Sequence, residues 1–139
     1  MFPSGMGTLA YELLDAVFET KGHKGVMDLL SMRDEWLIKK HRHRLEQLAV
    51  EERIKAVVSI YCENGFMTQW DALPDGNYFI FQQHCAIHHL ATQYRQLCVL
   101  EPKLMENLLG LKVTREKYML KGDTVCGYLI HTSQIGASN

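Results

Sequence analysis

Apolar residues recur at helical spacing along the first half of the chain. One stripe covers residues 6–18 and precedes Gly22, a residue suited to ending a helix. A highly charged segment at 24–47 carries its apolar residues on one side, and a third stripe at 49–64 precedes Gly65. The first half is therefore predicted to form three helices.

The period of the pattern changes after Gly65. Aromatic and β-branched residues lie on both sides of Pro74-Asp75-Gly76, which predicts a β-hairpin with a tight turn at its tip. Helical spacing returns at 86–97 and again at 100–109, where Glu101-Pro102 suits a first turn. Cys98 is therefore expected between two helices.

The end of the chain returns to strand-like patterning after Gly110, which is expected to stop the preceding helix. Two strands are predicted at 111–120 and 125–131, with a turn between them and a frayed polar tail after them. The predicted fold class is α+β: a helical N-terminal half followed by a small antiparallel sheet with two helices.

Composition and charge exclude several classes of function. The chain has 139 residues and 47% apolar content, enough for one globular domain with a core. Its formal net charge of −1 provides no bulk attraction to nucleic acid or to anionic membranes. No apolar run reaches the roughly 18 residues needed to span a bilayer, so no membrane association is expected.

The first residues, MFPSGMGTLAYELL, do not resemble an export signal. We therefore expect a cytoplasmic protein, and a reducing compartment favours cysteines that are free, metal-binding or redox-sensing over disulfides. Cys85, Cys98 and Cys126 are separated by 12 and 27 residues. Their thiolates suit an iron–sulfur centre, but the spacing lacks tight C-x-x-C pairs, and burial in the core is the ordinary role of cysteine. Cys62, on the third apolar stripe, is expected in the core.

A family resemblance favours the metal interpretation. Residues 60–131 resemble the sensor half of SufR-type iron–sulfur regulators, which belong with the winged-helix repressors, and both cysteine spacings match. The matching elements are, in order, Cys85-Ala86-Ile87, Leu90-Ala91, Cys98, Glu101, Leu109-Gly110, Val113-Thr114-Arg115, Gly122, Cys126, Tyr128 and Ile130. A weaker likeness covers Phe2-Pro3 and the first helix.

The resemblance implies a non-enzymatic protein: a homodimeric repressor of genes for iron–sulfur cluster assembly. It implies a 4Fe–4S cluster held by Cys85, Cys98 and Cys126. Residues 1–64 would be a helical dimerisation and transmission segment, 65–131 the cysteine-containing sensor domain, and 132–139 a polar tail. DNA would be bound only through a winged helix-turn-helix, which is not present in this chain and which the family places upstream of residue 1.

The fourth iron needs another ligand. Some family members carry a further cysteine four residues before the first, where this chain has Phe81. The candidates are His84, His88, His89, a carboxylate such as Glu101, or an exogenous thiol or water.

Two other classes of protein stay open. The ending G-x-x-x-C-x-Y-x-I at 122–130 is also similar to vinyl-4-reductase-type domains, which would make the chain a small-molecule sensor with a large apolar pocket. A thiol redox protein or a structural zinc protein is the other alternative. The basic segment KKHRHR at 39–44 is expected to be a solvated helix face rather than a nucleic-acid site.

Overall fold

The computed structural model describes residues 4–64, 66–84, 96–117 and 126–135. Within these ranges the chain forms three helices and four strands, which confirms the α+β class. The elements, in chain order, are α1 Ser4–Glu46, α2 Val50–Glu63, β1 Met67–Ala72, β2 Tyr78–His84, α3 Gln96–Leu109, β3 Leu111–Lys117 and β4 Cys126–Ile135. Two compact units are formed, Met1–Leu37 and Ile38–Asn139.

The first unit contains most of α1 and its interruption at Gly22. Gly22 has φ 68° and ψ −164°, a backbone conformation that is essentially restricted to glycine, so the helix stops there as predicted. The two helical stretches then approach each other closely. A Cβ on Gly25 would lie 3.3 Å from Cγ1 of Val17, and the rings of Phe18 and His23 meet edge to face at 4.7 Å.

The second unit is built on an antiparallel sheet with the strand order β1-β2-β4-β3. The predicted hairpin is confirmed: Asp75 Oδ1 accepts a hydrogen bond from Asn77 N at 3.0 Å, and Gly76 has φ 89°. The last strand pairs between the hairpin and β3, so it is central. It continues to Ile135, past the predicted end at 131.

Helices α2 and α3 pack on one face of this sheet. α2 packs on β1, α3 packs on β3, and the two helices contact each other. The apolar core of the unit consists of Leu45, Ile54, Val57, Ile60, Tyr61, Phe66, Ile80, Leu104, Met105, Leu108, Leu109, Leu111, Val113, Tyr128 and Ile130. The predicted stop at Gly110 is confirmed, with φ 70°.

No helix among the described residues is both long enough and apolar enough to cross a membrane. The assignment of dimerisation, sensing and tail roles to 1–64, 65–131 and 132–139 stays a prediction.

A single arginine ties three chain segments of the second unit together. The guanidinium of Arg53 donates from Nε to the carbonyl of Leu45 at 3.0 Å, from Nη2 to that of Leu48 at 2.8 Å, and from Nη1 to that of Leu109 at 2.7 Å. Carbonyls at helix C-termini have no intrahelical donor. Arg53 therefore caps the end of α1 and the end of α3 from within α2.

Replacing Arg53 by Met keeps an unbranched side chain but removes all three donors. The free energy of unfolding should fall by about 2–4 kcal/mol, because partly buried carbonyls lose charge-assisted bonds. Urea denaturation followed by circular dichroism measures the change. Arg44→Met, at an exposed position of α1, is the matched control and should leave stability nearly unchanged. Equal losses in the two variants would contradict the capping role.

Candidate functional site

One cross-strand row on the helix-covered face of the sheet is polar. Thr68 of β1 pairs with Gln82 of β2, and Gln82 pairs with Cys126 of β4. Their exposed fractions are only 6%, 1% and 6%. Paired residues of an antiparallel sheet project from the same face, with Cβ atoms about 5 Å apart. The three side chains therefore form a buried row across three strands, which we call the polar row.

Two members of the polar row carry polar atoms without a hydrogen-bond partner. Among the described residues, nothing bonds to Nε2 of Gln82 or to Oγ1 of Thr68. A buried donor left unbonded costs roughly 1–3 kcal/mol, so such atoms are rare in stable cores. Because two such unfavourable atoms lie together, the residues at this end of the sheet are expected to have a role besides stabilising the fold.

Tyr128 lies two residues beyond the polar row on the same face and is 1% exposed. Arg115 of β3 pairs with it, donating from Nη2 to the Tyr128 hydroxyl at 3.4 Å and lying with its guanidinium carbon 5.5 Å from the ring centroid. Burial raises the pKa of Tyr128, and the negative charge of Glu101 raises it further, whereas Arg115 opposes the shift. The phenol therefore stays protonated beside a carboxylate from α3.

The three predicted cluster ligands are described to different extents. Cys126 is a buried cysteine and the first residue of β4. Cys85 lies outside the described residues, directly after His84, the last residue of β2. Only the backbone of Cys98 is described. The prediction that their sulfur atoms share one centre stays a prediction.

The expected position of Cys98 between two helices is wrong. Cys98 lies in the first turn of α3, which runs without interruption from Gln96 to Leu109 with Pro102 in its interior. Proline has no N–H, so it cannot donate to the carbonyl of Cys98 four residues earlier. The apolar pattern and the packing of α3 outweigh this one lost hydrogen bond. Because proline favours the first turn of a helix, the sequence pattern predicted the start of this helix several residues too late.

The prediction that Cys62 is a core residue is also wrong. Cys62 is exposed near the end of α2, and its thiol donates to the carbonyl of Thr68 at 3.4 Å. The buried positions of α2 are Ile54, Val57, Ile60 and Tyr61. The apolar stripe therefore turns away from Cys62 in the last turn of the helix.

Of the candidates for a fourth ligand, Glu101 is described with its side chain, and His84 is described by its backbone only. Glu101 is 7% exposed, and its charge acts on Tyr128, the second residue after Cys126 on the same face of β4. His84 ends β2, whereas His88 and His89 lie outside the described residues. Phe81 stacks on Phe79 at 6.2 Å, on the face opposite to the polar row, so its position is not directed toward Cys126.

No group of three metal-binding side chains occurs within the part of the chain that the structure describes, which includes neither Cys85 nor the side chain of Cys98. A cluster needs thiolate ligands in a shielded site with donors for its sulfur atoms. Two described side chains suit these needs: Cys126 supplies a buried sulfur, and Gln82 next to it supplies a buried donor that no described residue engages.

Two further surfaces of the second unit lie apart from the polar row. A groove of about 420 Å³ mixes apolar with charged residues: it is lined by Ile38, Arg42, Leu45, Glu46, Arg53, Asn107, Leu108 and Gly110. This mixed lining differs from the large apolar pocket expected of a small-molecule sensor. Five of the six residues at 39–44 are exposed, and their role as a solvated helix face rather than a nucleic-acid site stays a prediction.

Sequence reasoning did not find Gln82, Thr68 or the pairing of Arg115 with Tyr128. A signal for Gln82 was present, because it follows Tyr78 and Ile80 at the period of two that defines the inward face of a strand. The pairing register of β2 with β4 could not be obtained from local patterns.

No family model matches the chain, and no curated protein matches its sequence. The resemblance to SufR-type regulators therefore stands on the residues that carry it.

The Tyr128 hydroxyl should contribute measurably to stability. Tyr128→Phe removes a buried acceptor of the Arg115 guanidinium, so the free energy of unfolding should fall by about 1–2 kcal/mol. Tyr78→Phe is the matched control, because the Tyr78 hydroxyl meets Glu51 at the surface, 3.2 Å away, and its loss should matter much less. Thermal melts of both variants test this, and a larger loss in the control would contradict it.

Proposed function

We propose that this chain is the iron–sulfur cluster-binding sensor portion of a cytoplasmic transcriptional repressor that controls genes for iron–sulfur cluster assembly. The proposed ligands are Cys85, Cys98 and Cys126, and the proposed cofactor is a 4Fe–4S cluster. The protein would act without catalysis, as a homodimer, and would reach DNA through a winged helix-turn-helix.

One observation carries the proposal: the buried thiol of Cys126 begins β4 beside the end of β2. Gln82 pairs with Cys126, and β2 ends two residues later at His84. Cys85 is the next residue in the sequence after His84. The first motif cysteine therefore directly follows the strand that pairs with the one that Cys126 begins.

The second motif cysteine lies on α3, which packs on β3, the strand beside β4. Cys98 lies three residues before Glu101 along this helix. Glu101 is buried, and its negative charge raises the pKa of Tyr128 in β4. These placements support ligation from three different chain segments, with Glu101 as the favoured candidate for the fourth ligand.

When bound, the cluster supplies a redox-active and oxygen-labile centre. Ligation by Cys85, Cys98 and Cys126 would crosslink the segment after β2 to α3 and β4, so gain or loss of the cluster would change the stability of the second unit. In a dimer, that change would shift the equilibrium between two conformations. One of these conformations would space the two DNA-binding units to match two DNA half-sites.

A homodimer is supported by exposed apolar side chains in the first unit. Leu29, Met32 and Trp36 are 40%, 47% and 65% exposed and follow helical spacing on one face of α1. Leu9, Leu13 and Phe18 are also exposed. Exposed clusters of large apolar residues commonly mark protein contacts.

Serine substitutions test the cluster proposal. Cys85→Ser, Cys98→Ser and Cys126→Ser should each greatly reduce iron and sulfide per chain after anaerobic reconstitution, because a protonated hydroxyl replaces a soft thiolate. Cys62→Ser is the control and should retain iron, since its thiol is exposed and bonds to a backbone carbonyl.

The absorption spectrum of the parent protein distinguishes the alternative classes. A broad band near ~400 nm is expected from cysteine-ligated iron–sulfur clusters. A colourless protein that binds one zinc would instead support the structural zinc alternative, and one that binds no metal would support a thiol protein or a small-molecule sensor. Unchanged iron in all three motif variants would contradict the proposed ligand set.

Substitution of Trp36 tests the homodimer. Trp36→Glu should raise the dimer dissociation constant at least about tenfold, because a charge replaces a large apolar side chain of the kind that dominates interfaces. Sedimentation velocity over a concentration series measures it. Glu35→Gln, at the neighbouring exposed position, should leave the constant unchanged. A parent chain that is monomeric at all concentrations would refute the homodimer.

A further inference from the structure

Gln82 is the most deeply buried member of the polar row. The packing of the core does not explain why a polar amide stands at this position. Its side chain is 1% exposed, and its Nε2 has no hydrogen-bond partner among the described residues. A glutamine at this inward position of β2 is less favourable than an apolar residue of the same size unless its amide finds a partner.

The neighbours of Gln82 limit what that partner can be. Along β2, Ile80 occupies the preceding inward position and is fully buried. Across the sheet, the paired residues are Thr68 on one side and Cys126 on the other. Among the residues paired with Gln82 across the sheet, the side-chain atoms that can accept a hydrogen bond are the Thr68 hydroxyl and the sulfur of Cys126.

We propose that Gln82 donates a hydrogen bond from Nε2 to the Cys126 sulfur when that sulfur is a ligand of the iron–sulfur cluster, and that it thereby sets the reduction potential and the retention of the cluster. The inference rests on the proposed function. Gln82 is a positioning residue in this arrangement, because it acts on the cluster through Cys126.

The chemistry of sulfur explains why a donor at this position would bond more strongly to a cluster ligand than to a thiol. A neutral thiol is a weak acceptor, whereas a thiolate bound to iron keeps lone pairs and much of its negative charge. Hydrogen bonds to cluster sulfurs stabilise the reduced, more negative state and raise the potential. A neutral amide provides such a donor without burying a second full charge.

The test compares Gln82→Met with Thr68→Val in the full chain. Methionine has a length and volume close to those of glutamine but no N–H. Valine has the shape of threonine without the hydroxyl, so Thr68→Val removes the competing partner and is the matched control. Gln82→Leu serves as a second variant without the donor.

Iron and sulfide per chain are measured first, after anaerobic reconstitution. Absence of both from the parent protein would refute the proposed function and this inference with it. If the parent holds a cluster, Gln82→Met should bind it but release iron to a chelator several times faster, with a lower midpoint potential in a redox titration. Thr68→Val should match the parent in both measurements.

The melting temperature of the metal-free protein gives an independent measurement. Gln82→Met should raise it by a few degrees, because an unbonded buried amide is replaced by an apolar group. A clear fall in both Gln82 variants would mean that the amide already has a partner without the cluster, and it would overturn the inference. The inference would be overturned if Gln82→Met had the midpoint potential and the rate of iron release of the parent protein. It would also be overturned if Thr68→Val shifted both quantities as much as Gln82→Met does. Either result would leave the cluster proposal in place.

Discussion

The pairing of β4 with β2 is the constraint on which the second unit depends. It joins the hairpin at 67–84 to the end of the chain and makes the last strand central rather than peripheral. Thr132 strengthens the joint, donating from Oγ1 to the carbonyl of Gly76 at 2.9 Å and from its backbone N to Asn77 Oδ1 at 3.1 Å. Because the register is fixed at the turn, Cys126 is fixed opposite Gln82 at the other end.

Features that depend on neighbouring residues could be predicted from the sequence. The backbone stop at Gly22, the turn at 74–76 and the end of α3 at Gly110 all involve glycine at positive φ or a local Asx hydrogen bond. These conformations are decided within a few residues, so the sequence pattern was sufficient. The α+β class followed from the change of period after Gly65.

Features that depend on distant residues could not be predicted in the same way. The start of α3 lies before Cys98 because packing against β3 and α2 outweighs the bond lost at Pro102. Cys62 is exposed because the buried stripe of α2 ends on Ile60 and Tyr61. The capping of two helix ends by Arg53, from a third segment, leaves no trace in local spacing.

The polar row connects the fold to the proposed function most directly. An apolar residue at Gln82 would fit the alternation of β2 and the packing of α2 and α3, so folding alone does not explain the amide. Proteins break such rules mostly at functional sites. The residues paired with Gln82 across the sheet are Thr68 and Cys126, whose sulfur is buried. A sulfur that changes from thiol to metal-bound thiolate becomes a stronger acceptor, whereas a threonine hydroxyl does not change, and this difference is the reason for proposing Cys126 as the partner of Gln82.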